Sequence, residues 1–203
     1  MVTPSDMEKL NLLAKINKKG DENIVAAGIS RSGDYLVYSD SVKNVLYKYS
    51  ITSNEVKKIN ACDSFKNSPA KFLHFSAQSE NLLILVTFVG KVLIYNIQND
   101  KIEKEIFIRS QTFHKNEIYL NSDISSNGKI LAITSSEKQL ILVDLTTGEV
   151  SRSLPHPSSF VNQLKFLDSQ TLVIIDEHNK FYIINTNEKQ FHSYTKSNFE
   201  KVN

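Results

Sequence analysis

Tryptophan is absent from the 203-residue chain, and cysteine occurs once, as Cys62. One cysteine excludes an internal disulfide and a cysteine-based zinc site, and it suits a reducing compartment, cytosol or nucleus. Arginine is almost as scarce. Of 24 basic residues only Arg31, Arg109 and Arg152 carry the guanidinium fork favoured for bidentate contacts to phosphate or guanine. The 22 acidic residues leave a net charge of +2, too little to argue for nucleic-acid binding by itself. No apolar run approaches the roughly 18 residues of a membrane-spanning helix. The longest, around Leu82 to Phe88, fits a buried strand better. The first residues, Met1-Val2-Thr3-Pro4-Ser5-Asp6, lack the apolar stretch of a signal peptide.

Patterns that carry chemistry are also missing. The five histidines (His74, His114, His156, His178 and His192) form neither an HExxH nor a His-x-His ligand pattern. His74 lies in a strand before Phe75 and reads as a satisfied core or channel residue. Asp176-Glu177-His178, with many serines nearby, hints at a hydrolase, but no Gly-x-Ser-x-Gly elbow is present. Asp176 and Glu177 fall in a turn between strands, as do Asp40 and Glu137, where a carboxylate accepts hydrogen bonds from backbone amides. The six glycines make no GxGxxG or Walker pattern. Gly33, Gly90, Gly128 and Gly148 mark turns, and Gly28 sits in a strand where backbones approach closely. Lys15, Lys18 and Lys19, and Lys57 with Lys58, are flanked by Asp21, Glu22 and Glu55, as on a mixed solvated surface. No catalytic residue, metal ligand, cofactor or small-molecule substrate is expected.

What is present is a repeat. Between Asp123 and Leu154, short β-rich runs (Ile130-Leu131-Ala132-Ile133, Gln139 to Leu145, Val150 to Leu154) alternate with turns such as Asn127-Gly128 and Thr147-Gly148. The same a-b-c-d pattern recurs. The first unit has strands Ile24–Ser30, Tyr35–Tyr38, Val45–Tyr49 and Glu55–Ile59. The second has Ala70–Phe75, Leu82–Thr87, Val92–Ile97 and Ile102–Phe107. The third begins at Tyr119–Ser125. The fourth has Phe160–Phe166, Thr171–Ile175, Phe181–Asn185 and Gln190–Tyr194. Strand c ends in register at Tyr47-Lys48, Tyr95-Asn96, Val143-Asp144 and Ile184-Asn185. The period of roughly 40 to 50 residues matches WD-type propeller blades, although no tryptophan completes a WD dipeptide. Strands b and c are apolar at nearly every position, which predicts sheets covered on both faces by neighbouring blades.

The expected fold is therefore an all-β, WD-type β-propeller with about four four-stranded blades, at residues 24–65, 66–118, 119–159 and 160–203. Leu10 to Asn17, within residues 1–23, fits a helix begun at Ser5-Asp6 or a strand; the strand is preferred, an orphan that resembles the outer strand of a preceding blade. Propellers close with about four to eight blades. The count predicts part of a larger propeller, or one completed by something else. Two loops are expected to contact partners: Arg109 to Glu117, with Arg109, Phe113, His114 and Lys115, and the rigid turn Pro155-His156-Pro157.

The run Leu10-Asn11-Leu12-Leu13-Ala14-Lys15-Ile16-Asn17-Lys18-Lys19-Gly20-Asp21-Glu22-Asn23-Ile24, followed by Ile29 to Ser39 and Leu46-Tyr47-Lys48, resembles the C-terminal propeller of cirhin-type proteins. These are WD-repeat subunits of the UTP-A complex. Asp123 to Ala132 is similar to a blade of that family, and Lys189 to Tyr194 resembles its strand before the terminal region. The resemblance implies a non-catalytic scaffold of the small-subunit processome in the nucleolus. It also implies contacts to other UTP-A subunits and to the 5′ external transcribed spacer of pre-ribosomal RNA, with no membrane. The chain departs from the family in lacking a first propeller and a basic C-terminal tail.

Overall fold

A computed structural model describes residues 15–18, 20–108, 117–152, 159–187 and 190–194. The first sheet comprises β1 (Ala26–Ile29), β2 (Tyr35–Ser39), β3 (Asn44–Ser50) and β4 (Glu55–Ile59). A short helix, α1 (Asp63–Lys66), follows. The second sheet comprises β5 (Ala70–Phe75), β6 (Leu82–Thr87), β7 (Lys91–Asn96) and β8 (Lys101–Phe107). The third has β9 (Tyr119–Ile124), β10 (Ile130–Ser135), β11 (Leu140–Asp144) and the two-residue β12 (Val150–Ser151). The fourth has β13 (Val161–Phe166), β14 (Thr171–Asp176), β15 (Phe181–Asn185) and β16 (Gln190–Tyr194). Each is an antiparallel meander whose strands neighbour one another in chain order. The all-β expectation holds, and the four sheets coincide with the four repeat units.

Period-two alternation sends successive side chains to opposite faces of a strand, and β6 divides its apolar residues accordingly. Leu83 and Leu85 join the core shared with the first sheet, while Ile84 and Val86 join the core shared with the third. Along β11, Ile141 and Val143 face the second sheet and Leu140 and Leu142 face the fourth. Fully burying each such side chain contributes about 1.5–3 kcal/mol. Three cores thus lie between four sheets. β1, β5, β9 and β13, the first strand of each sheet, touch in succession along one edge. The first and fourth sheets make no comparable contact among the described residues. This is consistent with propeller-like blades, without a closed ring.

Three expectations need correction, and a fourth lies mostly outside the described residues. Strands b and c are covered on both faces only in the second and third sheets. In the fourth sheet Leu172, Ile174, Tyr182 and Ile184 are buried, but Val173, Ile175 and Ile183 are half-buried because no fifth sheet lies beyond them among the described residues. The orphan strand falls mostly outside the described residues, and its described part, 15–17, is not extended into any ladder. Instead Ile16 helps line a groove on the outer face of the first sheet. The last strand of the third unit ends at Ser151, Arg152 binds Glu117 and Gln139, and residues 153 and 154 of the expected strand lie outside the described residues. Finally, α1 was not anticipated. It inserts the wholly buried Phe65 between the first two sheets, stacked on Tyr95 with ring centroids 4.3 Å apart.

Candidate functional site

Polar side chains gather where the first strands of successive sheets meet. In β9 the alternation places adjacent residues on opposite faces. Ser122 pairs with Ile133, a member of the core shared with the second sheet, and Asp123 pairs with Ala132 of the core shared with the fourth. Ser122 accordingly reaches His74 of β5, with Oγ and Nε2 2.7 Å apart. Asp123 reaches β13: Lys165 Nζ donates to Oδ1 at 2.8 Å and the Phe166 amide donates to Oδ2 at 2.7 Å. Asn121 donates to the Val161 carbonyl at 2.8 Å. A groove of about 410 Å³ lies beside the cluster, with Arg31 and Glu80 on its walls as well as His74, Asp123 and Lys165.

Burial pushes the His74 imidazole down to about 4, with the Lys165 ammonium adding to the effect and the Asp123 carboxylate opposing it. The ring is therefore neutral at pH 7. Ser122 donates to it whenever the imidazole carries its proton on Nδ1. A neutral imidazole beside a hydroxyl is half of an activated-nucleophile pair, which also needs a third group to orient the base. Asp123, the nearby carboxylate, commits its oxygens to Lys165 and Phe166 instead. These bonds tie the second sheet to the third and the third to the fourth.

The turn carboxylates behave as their position predicts. Asp40 Oδ1 accepts from the amides of Val42 and Lys43 at 2.9 and 2.8 Å, and Lys18 pairs with Oδ2 at 3.4 Å. Burial pushes its pKa up, but these donors outweigh it and hold the carboxyl below its ordinary value. Asp176 is fully enclosed. Oδ1 accepts from the amides of His178 and Lys180, while Oδ2 accepts from Ser159 Oγ at 2.6 Å and Tyr182 Oη at 2.7 Å. These donors overcome burial and lower its pKa too. The Asp176-Glu177-His178 run thus anchors a turn.

Arg109, Phe113, His114, Lys115 and His156, the expected partner-contact residues, lie outside the described residues. Beside that segment stands a cluster that sequence reading missed. Arg152 donates to Glu117 at 3.2 Å, to Gln139 at 2.7 Å and to the Ile108 carbonyl. The scarcity of arginine was its one sequence signal. The His74–Ser122 contact was not read from the sequence, where the repeat register aligns His74 with Asp123.

Among the described residues no helix is long and apolar enough to cross a membrane, and no three His, Cys, Asp or Glu side chains gather as metal ligands. No protein-family model matches the chain, and no curated protein matches it.

Proposed function

We propose that the four sheets are consecutive blades of a WD-type β-propeller with more than four blades, and that it is a non-catalytic scaffold in nucleolar assembly of the small ribosomal subunit. Its partners on this reading are other UTP-A subunits, with contact to pre-ribosomal RNA. The observation that carries the scaffold part is the division of β6 and β11 between two cores each, which makes every inner sheet a rigid layer clamped by its neighbours. Polar groups that resemble catalytic ones are spent on the same purpose: His74, Ser122 and Asp123 join sheets, and Asp176 holds a turn. The ribosomal context is supported by the resemblance of Leu10 to Ile24 and the stretches after it to cirhin-type propellers.

The test is affinity purification of the tagged protein from growing cells. UTP-A subunits and 5′ external transcribed spacer RNA are expected in the eluate, with nucleolar fluorescence of the tag. Recovery of an RNA-modifying enzyme without pre-ribosomal RNA would reassign the scaffold to another complex. Covalent labelling of Ser122 by a serine-reactive fluorophosphonate would overturn the non-catalytic part.

A further inference from the structure

We draw no further inference here: the strongest candidate, the groove of about 410 Å³ bordered by the equivalent residues Gly28, His74, Asp123 and Lys165 of the four first strands, carries nothing, because Asp123 and Lys165 are spent on each other, Arg31 and Glu80 on its walls balance in charge, and nothing in the structure shows what would occupy it.

Discussion

His74 couples the stability of the chain to pH in a window that lies mostly above the one in which Asp40, Asp100 and Asp176 act. The imidazole is held at about 4 in the folded chain by burial, against an ordinary value of 6.5. As pH falls through about 6.5 the unfolded chain takes up this proton and the folded chain does not. Stability is therefore complete above about pH 7 and is lost progressively down to about pH 4. At about 1.36 kcal/mol per pKa unit the ceiling is about 3 kcal/mol. His74 is only half-buried as a whole residue, so solvent screening reduces the expected effect to about 1–2 kcal/mol. Asp40, Asp100 and Asp176 are all held below the ordinary carboxylate value, and their contributions are lost only at lower pH.

The perturbation is His74→Gln, whose amide can still reach Ser122 but does not titrate. Urea unfolding of both proteins at several values between about pH 7 and about pH 5 isolates His74, since the other histidines contribute equally to each. The native protein is expected to lose about 0.5–1 kcal/mol relative to the variant across that interval, about half of the whole effect. Parallel stability profiles would refute the reasoning. So would an imidazole that titrates in the folded protein near 6.5 by nuclear magnetic resonance.

Three further outcomes are expected. Phe65→Ala removes the wholly buried ring stacked on Tyr95 and should cost about 3–5 kcal/mol in denaturant unfolding, with the slope unchanged. Asp176→Ala leaves two hydroxyls and two amides without their acceptor, and a loss of more than about 3 kcal/mol should appear as a large fall in Tm. Gly128→Ala should destabilise more than Gly33→Ala. Both residues have positive φ, but a Cβ at position 128 would lie 3.0 Å from Ser76 Oγ, whereas one at position 33 meets nothing within 4 Å.

The strand plan was legible because turn chemistry punctuates it. Glu55–Ile59, Ala70–Phe75, Leu82–Thr87, Phe181–Asn185 and Gln190–Tyr194 were read with the ends the structure gives them. Helix α1 was not legible, because four residues are too few to display a helical period. That Arg152 finds its partners in Glu117 and Gln139 is likewise a tertiary fact that local propensity does not encode. The two-faced apolar pattern of β14 led the reading to expect cover on both sides. That pattern reports the neighbours a strand is built for, and the described residues supply one of them. The partner-contact loops were chosen for their length and composition, and they remain a proposal about residues outside the described ones.

The polar ties between sheets explain why the repeat is regular in spacing yet degenerate in motif. Between the first and second sheets, Ser39 Oγ accepts from the Ala70 amide, Asn44 donates to the carbonyls of Phe65 and Ser68, and Asp100 accepts from the Cys62 amide. Between the third and fourth, Asn121 donates to the Val161 carbonyl and Asp123 accepts from the Phe166 amide. In each of these bonds one partner is a side chain and the other is backbone. A backbone group is present whatever residue occupies the position. At these ties the backbone partner can change its residue type and only the short polar side chain is constrained, whereas His74–Ser122 and Asp123–Lys165 each constrain both sides. Joints of this kind need no tryptophan and leave little signature beyond a serine, asparagine or aspartate within a strand or in the turn beside it. What then holds a repeat to its period is the geometry of the ladder and the two-sided apolar rows of its central strands.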